Sequence, residues 1–215
     1  MGYCRPQWAS AYTYAALLQA RIGSGPIAIN APVTPASQHV VVVRGNIVNN
    51  RIELLPAVAL DGVASMGTSG SYLVELFDAD GRALASQRIE ATDVDHSDAK
   101  TFIAAIPLDE RKASLLESVR VSGTAGTMSR RRAGTRTSAS PISREPAQAR
   151  LASGGLEVSC TDARVVAIVV QDHATGTLLA SASGARVSLD AAMTGELDVT
   201  CSDGVRSERQ IRMRR

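Results

Sequence analysis

The sequence predicts a mainly β chain, built as two antiparallel β-sandwich modules preceded by one short α-helix. Three observations predict it. Short apolar runs with alternating polar positions recur through most of the chain, separated by turn pairs such as Asn49-Asn50, Asp80-Gly81 and Asp203-Gly204. A helical period of three and four residues marks the stretch Gln7–Ile22 near the N-terminus. Two segments rich in Pro, Gly, Ser, Thr and Arg, at 23–37 and 129–153, divide the chain.

Taken in order, residues 1–22 read as a helical segment in which Trp8, Tyr12, Ala15, Leu18 and Ile22 form one apolar stripe, stopped by Gly23. Residues 23–37 carry Pro26, Pro32 and Pro35 and read as an extended linker. The first β module spans 38–128. Val40–Ile47 is a β-branched run, Asn49-Asn50 turns it, and Ile52, Leu54, Val58 and Leu60 return. Pro56 lacks a ladder donor, so that returning strand is an edge or bulged position. Ser71–Phe77 alternates cleanly, turns through Asp78–Gly81 and comes back over Arg82–Ile89. Phe102–Ile106 and Ser118–Ser122 complete the module, with a helical turn at Glu110–Leu116 between them. This number and spacing of short strands is that of an Ig-like sandwich.

Residues 129–153 hold almost no large apolar side chains and read as a flexible linker, although the first few residues after Gly123 suit a last strand of the preceding module. The second, smaller sandwich spans 154–215. Its strands are expected at Leu156–Cys160, Val165–Val170, Thr177–Ala182, Arg186–Leu189, Glu196–Cys201 and Arg206–Met213. A module of this size sits near the lower limit for folding alone.

Composition narrows the function classes. Apolar residues make up 45% of the chain but aromatics only 3%, so both cores rest on Ala, Val, Leu and Ile. The net charge of +2 gives no general attraction to nucleic acid or anionic lipid. Arginines cluster at Arg130, Arg131, Arg132 and Arg136 and again from Arg206 to Arg215. With no interleaved aromatics to stack bases, these clusters read as codon bias and a solvated tail rather than a specific nucleic-acid surface. No apolar stretch reaches the length of a membrane span, and Met1–Ser10 lacks the pattern of a secretory signal.

Candidate chemistry is sparse. His39, His96 and His173 stand in no His-Glu-x-x-His pair, and no Cys-x-x-Cys occurs, so spacing alone assembles no zinc site. They fall at strand ends or turns, where a solvated histidine is usual. Asp93, Asp95 and Asp98 offer alternating oxygen ligands for calcium, but the bend glycine and closing glutamate of an EF-hand loop are missing, so a plain polar loop competes. No Gly-x-Ser-x-Gly elbow or Walker-type phosphate loop is present. Cys160 and Cys201 close the matching runs Leu-Glu-Val-Ser-Cys and Leu-Asp-Val-Thr-Cys, so both thiols point with their apolar neighbours. Either they form a disulfide, which belongs to an oxidising compartment, or they are two buried thiols. Cys4 is left over and suggests a partner outside the chain.

The most specific segment is Met1-Gly2-Tyr3-Cys4-Arg5-Pro6-Gln7-Trp8, followed by Ser10 and Tyr12-Thr13-Tyr14. It resembles the stretch after the zinc-binding helix in secreted bacterial metzincin-type zinc metallopeptidases, and Tyr72–Gly81 and Phe102–Leu108 are similar in texture to the β-sandwich tails of such enzymes. The resemblance implies that Met1 is the Met-turn methionine, with Gly2 where Ser is more usual and Tyr3 after it. It also implies that Tyr3–Ile22 closes the catalytic domain and that Cys4 pairs with an upstream cysteine. Zinc would belong to the parent family and not to this chain, because the His ligands and catalytic Glu would precede Met1. The expectation is therefore a non-catalytic C-terminal accessory region, from a truncated or fragmentary reading frame, with no cofactor of its own. Its expected partners are the missing catalytic domain or cell-surface material, in a secreted or cell-envelope setting. The alternative is an extracellular adhesion or carbohydrate-binding β-sandwich protein.

Overall fold

A computed structural model describes residues 38–65, 69–132, 147–152, 155–189 and 195–213, all of which fall in one compact unit. The helix expected within 1–22 and the linker 23–37 lie outside the described residues. What is described is mainly β, in four antiparallel sheets.

The long strand β1 (Gln38–Val48) is the spine of the first sheet. On one side it pairs with β2 (Arg51–Leu54) and then with β3 (Val58–Gly62); on the other it pairs with β7 (Lys100–Pro107), which carries the short β6 (Thr92–Asp93). Asn49 and Asn50 turn β1 into β2 with φ of 51° and 56°, the left-handed pair that a tight hairpin requires. Between β2 and β3 the register slips by one residue around Leu55–Ala57, so Pro56 falls in a bulge of the strand at the sheet's edge.

The second sheet runs β5 (Ala83–Ile89), β4 (Tyr72–Phe77), β8 (Ser118–Gly123), β9 (Gly126–Arg131). Asp78 shapes the β4–β5 turn by accepting hydrogen bonds from Asp80 N at 3.0 Å and Arg82 N at 2.8 Å. The two sheets face each other through their inward positions. Val41, Val43 and Ile47 of β1 and Phe102, Ala104 and Ile106 of β7 meet Val74 and Leu76 of β4 and Val119 and Val121 of β8. Period-two alternation puts these residues on one face of each strand, and burial of that face drives the packing. Gly45 makes room for Phe102: a Cβ there would lie 2.5 Å from the ring and 2.4 Å from Glu53 O. The expected helical turn is a single turn, α1 (Glu110–Ala113), capped by the Asp109 carboxylate, which accepts from Lys112 N at 2.9 Å.

The second sandwich joins β10 (Gln148–Ala152), β11 (Gly155–Ser159) and β14 (Arg186–Leu189) to a four-stranded sheet. That sheet runs β13 (Leu178–Ser183), β12 (Ala167–Asp172), β15 (Leu197–Ser202), β16 (Ser207–Met213). Its core is aliphatic: Leu156, Val158, Ile168, Val170, Leu189, Leu197 and Val199, with Cys160 and Cys201 among them.

The linker expected over 129–153 is corrected at both ends. Ser129–Arg131 belongs to β9 and Gln148–Ala152 is β10. Low hydrophobicity misled the reading there, because β9 is held by its backbone ladder to β8 across a tight Gly123–Gly126 hairpin rather than by burying its own side chains.

Candidate functional site

The polar groups that the fold concentrates lie where the two sandwiches meet. Strand β15 is buried on both faces. Leu197, Val199 and Cys201 point into the second sandwich, whereas the alternate residues Asp198, Thr200 and Ser202 are 5%, 2% and 0% exposed. Strand β12 does the same: Ile168 and Val170 face inward, and Ala167 and Val169 pack on Val58 of β3, with Leu60 and Leu178 beside them.

The turn joining β15 to β16 then enters the first sandwich. Asp203 folds it by accepting from Val205 N at 3.1 Å and Arg206 N at 2.8 Å. Gly204 takes φ 96°, a conformation that favours glycine, and its position leaves only 3.1 Å between a would-be Cβ and Val166. Val205, fully buried, belongs to the hydrophobic core of the first sandwich and not to that of its own module. Around this knob the edge of the first sheet is satisfied by the second module. Ala57 N donates to Gly204 O at 3.0 Å, Ser202 Oγ donates to Ala57 O at 2.5 Å, and Ala59 N donates to Ser207 Oγ at 2.8 Å. An edge that would otherwise present bare N–H and C=O groups is covered.

Arginines secure the same junction. Arg132 Nε lies 2.9 Å from Asp203 Oδ2, with side chains 5% and 0% exposed. Within the first sandwich, beside the junction, Arg130 Nη2 donates to Leu54 O at 2.8 Å, and across the junction Arg206 Nε donates to Leu116 O at 2.6 Å. Burial holds the Arg206 guanidinium below its ordinary pKa, the nearby Arg132 adding to the effect. The reading of the arginines as codon bias and a solvated tail is therefore corrected at Arg206, and Arg130 and Arg132 likewise have partners in the fold. The sequence shows their charge but not the carbonyls and carboxylate that receive it.

Beside the knob lies a cleft of about 500 Å³, lined from the first module by His39, Ala59, Asp61 and Glu110 and from the second by Arg206 and Arg209, among others. A chain of polar groups starts at its wall with His39, Asp61 and Arg209 and continues into the second module at Asp198 and His173. His39 Nδ1 is 3.4 Å from Asp61 Oδ1, Arg209 Nη1 donates to Asp61 Oδ2 at 2.6 Å, Arg209 Nη2 donates to Asp198 Oδ2, and His173 Nδ1 lies 2.9 Å from that same oxygen. Burial raises the Asp198 carboxyl, but the hydrogen bonds from Arg209 and His173 outweigh it and hold the group below the ordinary aspartate value. The same bond to Asp198 pushes the Arg209 guanidinium higher. These groups are bonded to one another, which suits joining two bodies better than polarising a substrate.

The residues singled out from the sequence fall as follows. Met1, Tyr3 and Cys4 lie outside the described residues. Cys160 and Cys201 are joined in a disulfide with Cα atoms 6.2 Å apart, linking the end of β11 to β15 and so one sheet of the second sandwich to the other. In the acidic loop, Asp93 pairs with Lys100 at 3.0 Å, and His96 sits in the turn with φ 60°. Asp93, Asp95 and Asp98 do not converge: among the described residues no three of His, Cys, Asp and Glu come together to hold a metal. His39 and His173 each stand against an aspartate rather than free in solvent. Sequence reading missed Asp198, Thr200, Ser202 and Asp203. The alternation of Asp198, Thr200 and Ser202 with apolar residues is equally that of a strand with one wet face. No protein-family model, curated protein or solved structure matches the chain.

Proposed function

We propose that the chain is the non-catalytic accessory region of a zinc metallopeptidase-like protein, working outside the cytosol as a stiff two-sandwich arm. The observation that carries this reading is the junction. Its charged and hydroxyl groups, Arg132 with Asp203, Ser202 with Ala57 O and Arg209 with Asp61 among them, are spent on one another and on backbone atoms across the two sandwiches. Such a junction fixes the angle between two bodies, which is what an arm that positions a catalytic domain requires. The Cys160–Cys201 bridge supports a secreted or cell-envelope setting, where disulfides persist. The family assignment rests on the Met1–Tyr14 resemblance.

Two measurements test it. The purified chain is expected to cleave no unfolded protein substrate with or without added zinc. The DNA upstream of Met1 is expected to encode, in frame, a His-Glu-x-x-His segment. Zinc-dependent cleavage by the chain itself would overturn the non-catalytic reading, and an upstream region lacking that segment would overturn the family reading.

The second reading, a surface- or carbohydrate-binding module, has the cleft in its favour, since His39, Asp61, Glu110 and Arg209 present hydrogen-bonding groups to it. Among the described residues no Phe, Tyr or Trp lines the cleft to stack on a sugar ring. Retention of the chain on cell-envelope polysaccharide, lost in Asp61→Ala, would favour this reading over the arm.

A further inference from the structure

We propose that the Cys160–Cys201 bridge is a redox gate on the first sandwich, a module that contains neither cysteine. Covalent closure of the second sandwich holds Val205 in the first one's core, and reduction releases both.

The coupling follows from where the bridge is placed. Cys201 lies on β15 one residue before Ser202, whose hydroxyl holds Ala57 O. Two residues on is Asp203, the buried partner of Arg132, and four on is Val205, the knob in the first core. The second sandwich depends on the bridge more than the first would. Its core has no aromatic side chain, and the cystine joins its two sheets across 41 residues of chain. A module so small needs a staple to persist. When it opens, the first sandwich loses Val205 from its core, the Asp203 carboxylate from the buried Arg132, and the caps on Ala57 and Ala59 at the edge of its sheet. The second module's instability is thereby passed to the first.

The chemistry is thiol–disulfide exchange. In the opening direction a reductant thiolate attacks one bridge sulfur, the S–S bond breaks, and a mixed disulfide forms. The reductant's second thiol then displaces the protein sulfur. Two electrons and two protons have passed to Cys160 and Cys201, and the dithiol leaves as a disulfide. Closure is the reverse, with a disulfide-bearing oxidant of the compartment accepting the electrons. Cys201 is fully buried and Cys160 is 7% exposed, so attack must wait for the module to open, and the rate of reduction reports that opening. Because coupling between two parts of a molecule is reciprocal, loosening the knob must also speed reduction of the bridge.

The test uses the full oxidised chain. Reduction by excess dithiothreitol is timed by thiol alkylation and mass spectrometry in the wild type, in Val205→Ala and in the surface control Ile103→Ala, whose parent residue is 61% exposed. Hydrogen exchange of β1, β4 and β8 is measured before and after reduction. The expected result is reduction at least ten-fold faster in Val205→Ala, within two-fold of wild type in Ile103→Ala, and at least a ten-fold loss of protection in those three strands once the bridge is open. Equal reduction rates in the wild type and Val205→Ala would overturn the proposal. So would first-sandwich strands that keep their protection in the fully reduced chain. Both readouts start from the folded, oxidised protein, so neither depends on a cysteine-free variant folding.

Discussion

The two sandwiches share a strand alphabet and differ in how they are closed. The first builds its core with Tyr72 and Phe102 beside Leu76, Ile106 and Leu116, and it has a free end into which another module inserts a valine. Among the described residues the second has only aliphatic side chains and a cystine in its core, and it supplies that valine. Aromatic rings bury 150–250 Å² each, so the first module has more area to work with. The second replaces that area with a covalent constraint on its unfolded state. One module is thus complete in its chemistry but not its shape, and the other complete in shape only through its chemistry.

Breaking the shared junction is expected to have the largest effect. Asp203→Ala strips the buried Arg132 guanidinium of its carboxylate, a change that costs about 3–5 kcal/mol for a buried pair. Equilibrium denaturation in urea is expected to show both modules shifted together, and a shift confined to the second would separate them. Removing the bridge comes next. Cys160→Ser with Cys201→Ser is expected to lower stability by roughly 4 kcal/mol, in line with a loop of this length. The reference is the oxidised protein, followed by circular dichroism on heating.

Val205→Ala tests the knob itself. Loss of two methyl groups from a fully buried site is expected to cost about 2 kcal/mol, and the missing volume falls in the first core although the residue lies in the second module. Gly45→Ala belongs to the first sandwich alone. Its new methyl meets the Glu53 carbonyl and the Phe102 ring, so overpacking of about 1–3 kcal/mol is expected, with the bridge reduced no faster than a general destabilisation of that size explains.

The smallest effect concerns pH. The Asp198 carboxyl titrates below its ordinary value of 3.8 in the folded protein, so its contribution is complete above that value and is lost as pH falls through the lower one. Asp198→Asn is expected to flatten the acid limb of a stability-against-pH curve. Asp109 and Asp172, held low by hydrogen bonds from Lys112 N and from Thr175, keep part of the slope.

Much of each sheet was legible in the sequence because alternation is local. Val41, Val43, Val74 and Leu76 announce their inward face within a single strand, and Asn49-Asn50 announces its turn without help from elsewhere. The matched endings at Cys160 and Cys201 pointed both thiols inward, leaving a bridge and two free thiols equally open. Legibility failed where one polar pattern serves two ends. Asp198, Thr200 and Ser202 look like the wet face of a strand, and Ser129–Arg131 looks like linker. Whether such residues meet water or another sheet depends on what packs there, and nothing within a few residues of them records it.

The sequence by itself determined most of the strands, which face of most of them is apolar and where the chain turns, because those choices follow from side-chain size, period and backbone freedom over a handful of neighbours. Only the tertiary structure decided that the second faces of β12 and β15 are buried, that Val205 completes a core other than its own, and that Arg132 meets Asp203 71 residues away. The reason is physical. Those outcomes depend on the mutual placement of two folded surfaces, and burial energy is gained only when both already exist.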